Sequence, residues 1–337
     1  MGLDPEGAAL DAVARRAYVT CARANSLAVV DLDGLAVVGE IGVGEEPLDA
    51  VLDDATGRLF AANLRSNSVS VVDVARGEVA ASIDVPPYPS GLTHDAERRR
   101  LYCGSAMGGF MTAIDLDALE VIGSVECEAG AGAVSVDVER NRVYCSNFLT
   151  QSVTVIEGEA LEAIGRLVVG AAPCAMGISQ LAGCAYVVNS LADSMTRIDL
   201  ASGAVLDEVP VGRAPVGMAV SPSGDRIYVG NRGAGTVTVI GTEDATVWGS
   251  FPVGEGPAGC VVDPLTGRLV VSNAGSCSVT IIEDRLTGPF ALSPVAEHPL
   301  VGRRLPPFAL PGLAPGVTFD SRQWAERLYI LNFFASW

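Results

Sequence analysis

The sequence predicts an all-β protein, a seven-bladed β-propeller with four antiparallel strands in each blade. One 42-residue repeat recurs seven times without insertion or deletion, each copy holds four short apolar stretches, and turn-forming residues separate those stretches. Short β-branched runs between Gly, Pro, Asn and Asp are typical of strands. Four strands in roughly 40 residues, repeated around a ring, indicate propeller blades. No apolar pattern shows the spacing of about 3.6 residues that a helical solenoid needs.

The register of the repeat is constant along the chain. Equivalent segments begin at residues 16, 58, 100, 142, 184, 226 and 268. Counting the recurrent proline before each segment as position 0, seven repeats fill residues 5–298, and Ala131 takes the place of proline in the fourth. In the sixth repeat the apolar stretches predict strands over residues 217–221, 227–231, 237–240 and 247–253.

Charged and aromatic residues recur at fixed positions of the repeat. Position 11 is arginine in six repeats, and position 26 is acidic in six. If the second and third strands form a hairpin, these two positions face each other. We therefore expect a cross-strand ion pair in five blades, each contributing about 0.2–1 kcal/mol. Position 13 is Tyr or Phe in six repeats, and we expect these rings to pack between neighbouring blades.

Two further polar positions form a ring that resembles a metal site. Short polar side chains at strand ends, however, hydrogen-bond the backbone of the following turn. We expect this structural duty at both positions, and no metal. Position 6 is Asp11, Asp53, Asp95, Asp137, Ser179, Ser221 and Asp263, and position 16 is Asn63, Asn147, Asn189, Asn231 and Asn273.

Composition limits the classes of partner. Of 337 residues, 49% are hydrophobic, and the formal net charge is −18. Such a negative field repels a phosphate backbone, so we expect no nucleic-acid partner. No uncharged apolar run reaches 18 residues, and no secretory signal is written. We expect a cytoplasmic monomer without a membrane span, or an extracytoplasmic protein if the start is misassigned.

Eight cysteines are spread along the chain, and none forms a C-x-x-C pair. With two histidines in the whole chain, the cysteines show no zinc-ligand pattern. We expect small core side chains and no cofactor. We expect no disulfide between Cys103 and Cys145, which are equivalent in adjacent blades, or between Cys174 and Cys260.

The candidate ligand-binding residues lie where the repeat varies. The connections between blades and the turns between second and third strands should open on one face, and loops on a rigid scaffold carry recognition. The candidates there are Glu45, Glu46, Asp49, Arg65, Tyr88, Asp193, Arg213 and Arg232.

His94 breaks the repeat in a different way. It occupies position 5, which is apolar in the other six repeats. It is a candidate for the wall of the axial channel, or it is a histidine bonded to nearby backbone as buried polar groups normally are.

The repeat contains the strings AYVTCARANSLAVVD, IYVGNRGAGTVTVIG and VGRAPVGMAVSPSGDR. They resemble the repeat of YVTN-type β-propellers, and the resemblance covers seven repeats. It implies a seven-bladed propeller. It implies no single activity, because such proteins are mostly non-catalytic, while related propellers include lactone hydrolases and subunits of redox enzymes.

Residues 299–337 carry two separated motifs, formed by Gly302, Pro306, Pro307, Phe308, Leu310 and Pro311 and by Asn332 to Trp337. Both resemble the beginning of a thioredoxin-like thiol–disulfide oxidoreductase of the cytochrome c maturation type. In that family the redox C-x-x-C follows the final Trp of the match, whereas here the sequence ends. We expect the natural protein to continue, for example past a selenocysteine codon read as a stop.

Taken together, these features favour a non-catalytic propeller that binds a protein or small ligand, joined to the start of a thioredoxin-like module without its redox motif. As written, the chain is not expected to be an enzyme, although its full-length product would be a candidate thiol–disulfide or selenol oxidoreductase. Two alternatives remain open. One is a hydrolase of lactonase type in the propeller channel, and the other is a docking subunit of a redox complex.

Overall fold

The computed structural model describes residues 2–283 and the backbone of residues 309–311 and 318–320. The chain divides into two compact units, Met1–Pro289 and Phe290–Trp337. The first unit is a seven-bladed propeller of antiparallel sheets, which confirms the predicted fold. Six blades have four strands, and three strands of the seventh are described. In the second unit, strands Ala309–Pro311 and Thr318–Asp320 pair antiparallel. The rest of the thioredoxin-like match lies outside the described residues.

Each blade runs outward from the channel in chain order. The innermost strands are β1 (Pro5–Asp11), β5 (Pro47–Asp53), β9 (Pro89–Asp95), β13 (Ala131–Asp137), β17 (Pro173–Ser179), β21 (Pro215–Val220) and β25 (Pro257–Val262). The second strands are β2 (Arg16–Cys21), β6 (Arg58–Asn63), β10 (Arg100–Ser105), β14 (Arg142–Asn147), β18 (Cys184–Asn189), β22 (Arg226–Asn231) and β26 (Arg268–Asn273).

The outer half of each blade follows the same plan. The third strands are β3 (Ser26–Asp31), β7 (Ser68–Asp73), β11 (Phe110–Asp115), β15 (Ser152–Glu157), β19 (Ser194–Asp199), β23 (Thr236–Gly241) and β27 (Ser278–Glu283). The outermost strands are β4 (Ala36–Gly42), β8 (Glu78–Asp84), β12 (Glu120–Glu126), β16 (Glu162–Val168), β20 (Val205–Pro210) and β24 (Val247–Pro252). Residues Ala22–Ala24 form a short 3-10 helix. Within residues 2–283, no helix is long and apolar enough to cross a membrane.

The apolar core lies between adjacent blades. The aromatic rings at position 13 are among the largest fully buried side chains, as predicted. Phe60 of the second blade, for example, packs with Leu92 and Leu101 of the third. Val270 of the seventh blade packs with Val19 of the first, so the same contact closes the ring. Burial of these apolar surfaces stabilises the interfaces between the sheets.

The residues of the predicted cross-strand ion pairs do face each other, but most of them bond to other groups. Arg16 faces Asp31, and the equivalent residues of four other blades also face each other. Arg268 and Glu283 lie 3.1 Å apart, as expected. Elsewhere the acid accepts hydrogen bonds from its own turn, as Asp31 does from two amides at 2.7–2.9 Å. The arginine instead reaches a carbonyl of the next blade, in the pairs Arg58–Leu116, Arg100–Gly158 and Arg142–Leu200.

The polar ring at position 6 has the predicted local duty and also links blades. Asp95 accepts two amide hydrogen bonds from the turn that follows it, at 2.9 and 3.0 Å. Asp263 of the seventh blade also pairs with Arg15 of the first at 2.5 Å. The asparagines at position 16 differ from the prediction, because their amides donate to two hydroxyls of the next strand. Asn189 Nδ2, for instance, lies 3.1 Å from Ser194 Oγ and 2.8 Å from Thr196 Oγ1.

Candidate functional site

The two sets of loops open on the same face of the propeller, as predicted. The amide of Leu64, in the second-to-third strand turn, donates to the carbonyl of Glu46 in the preceding connection at 2.9 Å. Ala106 and Tyr88 make the same bond in the next blade at 2.8 Å. We call this face, formed by the blade connections and these turns, the loop face. Its backbone bonds give it a rigid frame.

Several charged candidates on the loop face are engaged with one another. Arg65 forms an ion pair with Glu46 across the two loops of one interface. Arg232 holds Glu6 of the first blade through two hydrogen bonds, at 3.0 and 3.2 Å, and so spans the seventh blade. These residues therefore stabilise the frame of the face, and any ligand would compete with their existing bonds.

Two further candidates bond main-chain atoms. Asp193 accepts a hydrogen bond from the amide of Ala214 at 2.7 Å, and Arg213 donates to the carbonyl of Gly233. Each contact fixes a second-to-third strand turn against the neighbouring blade connection. Glu45 and Tyr88, in contrast, present exposed side chains.

Asp49 does not lie in a connecting loop, because the inner strand β5 already begins at Pro47. Its Oδ2 accepts a hydrogen bond from the amide of Leu92 in the third blade at 2.9 Å. The equivalent residue is glycine or alanine in the other six blades. Burial among the inner strands raises the pKa of Asp49 to about 6, although the Leu92 amide opposes this shift.

The inner strands enclose an axial channel of about 490 Å³. Glu6, Asp49, Ser90 and Thr93 supply polar side chains on one side of its wall. Sulfur-bearing and apolar side chains supply much of the remainder: Cys174, Cys260, Met176, Met218, Leu92 and Val216. Among residues 2–283, no group of three His, Cys, Asp or Glu side chains is placed to hold a metal ion.

His94 lies at the opposite end of the inner strands from Asp49. It pairs with Leu101 in register, one residue before the end of β9. Burial lowers its pKa, although the nearby Asp53 and Asp54 carboxylates act in the other direction. His94 does not line the cavity that Asp49 faces, so the structure does not bring these two candidates together as an acid–base pair.

The most exposed apolar side chains of the loop face were not among the candidates. Met107, Leu149 and Leu191 occupy position 18 of the third, fourth and fifth repeats and are 74%, 68% and 77% exposed. The same position is Arg or Gly in the other repeats. Phe148 and Tyr88 are also exposed large hydrophobics in loops of this region. We call Tyr88, Met107, Phe148, Leu149 and Leu191 the apolar arc.

The arc is joined by backbone contacts to the blade connections. The amide of Phe148 donates to the carbonyl of Gly130 at 2.9 Å, and Leu149 donates to Ala129. Phe148 also lines the mouth of the channel. The repeat itself contained the signal for the arc, because apolar residues at a turn position in three consecutive repeats depart from turn chemistry.

Comparisons with known proteins support the fold alone. No protein-family profile matches the sequence, and no curated protein matches it. Among 1627 matching solved chains is one titled Kuenenia stuttgartiensis hydrazine synthase, with a TM-score of 0.78 and 19% identity. The match covers 84% of this chain and 96% of that one. At such low identity the likeness carries no statement about activity.

Proposed function

We propose that the protein is a non-catalytic binding scaffold that captures a partner protein on the loop face through the apolar arc. The observation that carries the proposal is the row of exposed Met107, Leu149 and Leu191 at one repeat position. Clustered exposed apolar residues on a soluble domain are typical of interaction sites. Loops held by a rigid scaffold are the usual carriers of recognition.

The negative charge of the chain favours one class of partner protein. With a formal net charge of −18, the chain attracts basic proteins and repels acidic ones. Glu126 is exposed in the third blade, and Glu128 pairs with Arg166 in the connection to the fourth. The partner that fits is a protein with an apolar patch bordered by basic residues.

The channel favours this assignment over a hydrolase. Its wall holds two carboxylates, Glu6 and Asp49, and both are already bonded, Glu6 to Arg232 and Asp49 to the amide of Leu92. His94 does not line the cavity. A lactonase-type reaction needs an activated nucleophile or water next to a base. The thioredoxin-like resemblance of residues 299–337 adds a finer proposal, that the propeller recruits proteins for a thiol–disulfide module.

The test is a comparison of two matched leucines. Leu149 in the arc is 68% exposed, and Leu265, in the 7th blade turn between its first two strands, is 67% exposed. Proteins captured by the wild-type chain from source cells are purified and titrated against wild type, Leu149→Glu and Leu265→Glu. We expect Leu149→Glu to weaken binding at least about 10-fold and Leu265→Glu to leave it unchanged. Equal affinity for all three chains would refute the proposal.

A further inference from the structure

The connection between blades places one side chain against the next blade in every described interface. Position 38 of a repeat packs in the same apolar cluster as position 14 of the following repeat. In five interfaces position 38 is valine, and the pairs are Val43–Ala61, Val85–Cys103, Val169–Val187, Val211–Val229 and Val253–Val271. A valine side chain at position 38 is therefore the usual packing partner of position 14 at these blade interfaces.

The interface between the third and fourth blades fills the same site with two thiols. Cys145 belongs to one apolar cluster, and Cys127 packs against that cluster. Thr154 faces Cys145 directly across the β14–β15 ladder, and the Cys127 thiol donates a hydrogen bond to the carbonyl of Val125 at 3.7 Å. Cys127 therefore lies against the strand of the fourth blade that carries Cys145.

The two thiols differ in access and environment. Cys145 is fully buried, whereas Cys127 is half-buried. Hydrogen bonds from the Cys145 thiol, the Thr154 hydroxyl and the Met111 backbone lower the pKa of Cys127, although burial opposes this. The hydrogen bond to Cys127 and burial both raise the pKa of Cys145. Cys127 is therefore the thiol that reacts first.

We propose that Cys127 and Cys145 are an oxidisable dithiol that closes to a disulfide between the third and fourth blades when a hydroperoxide reaches Cys127. This inference goes beyond the binding role and does not depend on it. All eight cysteines are free in the structure described here, so the site is present in its reduced form.

The reaction balances with the hydroperoxide as the two-electron oxidant. The Cys127 thiolate attacks one peroxide oxygen, the O–O bond breaks, and a sulfenic acid forms as hydroxide or alkoxide leaves. Cys145 then loses its proton and attacks the Cys127 sulfur, which forms the S–S bond and releases water. Overall, two thiols lose two electrons and two protons, and hydrogen peroxide becomes two water molecules.

Closure would fix the connection that supports the apolar arc. Cys127 stands three residues before Gly130, whose carbonyl accepts the Phe148 amide. A disulfide between Cys127 and Cys145 closes the loop of residues 127–145 and so restricts the unfolded chain. We expect the oxidised protein to unfold about 5 °C higher than the reduced protein.

The experiment treats the reduced full chain with hydrogen peroxide, blocks free thiols, and maps linked peptides after cleavage at glutamate. Cleavage after Glu126 separates Cys127 from Cys103, so the two linkages differ in mass. We expect two of the eight thiols to be lost, a Cys127–Cys145 peptide to appear, and dithiothreitol to reverse both changes.

The repeat supplies conservative variants. Valine is the ordinary residue at both positions, so Cys127→Val and Cys145→Val should fold and lose the linkage. Cys103→Val is the matched control at position 14 of the third repeat and should keep it. Eight free thiols after peroxide, a sulfenic acid at Cys127 without a disulfide, or a linkage through Cys103 would each overturn the proposal.

Discussion

Arg99 and Asp53 join the third blade to the second through two parallel hydrogen bonds, Nη1 to Oδ1 at 3.0 Å and Nη2 to Oδ2 at 2.8 Å. The Asp53 side chain is fully buried, and Arg99 also pairs with Asp117 at 2.8 Å. Burial alone would raise the pKa of Asp53, but the hydrogen bonds from Arg99 and Thr56 hold it at about 2. The pair is thus a buried, charge-assisted link between blades.

Removal of the arginine should therefore be costly. We expect Arg99→Gln to lower the free energy of unfolding by about 2–4 kcal/mol at pH 7, because it leaves the Asp53 carboxylate buried without its cation. Arg23→Gln is the control, since Arg23 is exposed and pairs with Asp4 at 3.3 Å. It should change stability by less than about 1 kcal/mol. Urea unfolding of both variants checks this, and equal effects would contradict it.

Asp49 should make the propeller less stable as pH rises. Its folded pKa of about 6 lies above the unfolded value of about 3.9, so the folded state binds more protons between these values. The stability that it contributes is complete below pH 4 and falls as pH rises to 6. In Asp49→Asn, we expect a gain of about 1–2 kcal/mol at pH 8 and little change at pH 4. A pH-independent difference between the two proteins would be inconsistent with this.

Gly217 should tolerate no side chain. A Cβ there would overlap the carbonyl oxygen of Ala258 on the neighbouring inner strand, and a backbone atom has little freedom to move. We expect Gly217→Ala to destabilise the propeller by about 3 kcal/mol or more. Gly39→Ala is the control, because the nearest atom of Val29 is 3.8 Å from the added Cβ. Thermal unfolding should separate the two variants clearly.

The repeat was sufficient to predict the architecture. A constant period of 42 residues fixed the number of blades, and alternation between apolar and turn residues fixed the strands to within about two residues, as in β22. The facing of Arg16 and Asp31 followed from the hairpin register. These features depend on local spacing, which the sequence shows directly.

Contacts between blades were harder to predict, because they join residues that are far apart in the chain. Arg58 bonds the Leu116 carbonyl 58 residues away instead of only facing Asp73. Tyr88 of the apolar arc was among the predicted residues, whereas Met107, Phe148, Leu149 and Leu191 were missed because charged loop residues were favoured. Two of those charged residues, Arg65 and Arg232, are paired with Glu46 and Glu6. The expected continuation past Trp337 stays a prediction, and sequencing the downstream nucleotides tests it.

The most direct test of the binding role is site-specific photo-crosslinking in the cells that make the protein. p-Benzoylphenylalanine is placed at position 149 in the apolar arc or at position 265 in the control turn, two sites of almost equal exposure. We expect one discrete protein adduct from position 149, with a basic partner identified by mass, and none from position 265. Absence of an adduct at 149, or the same adduct at both positions, would contradict capture by the loop face.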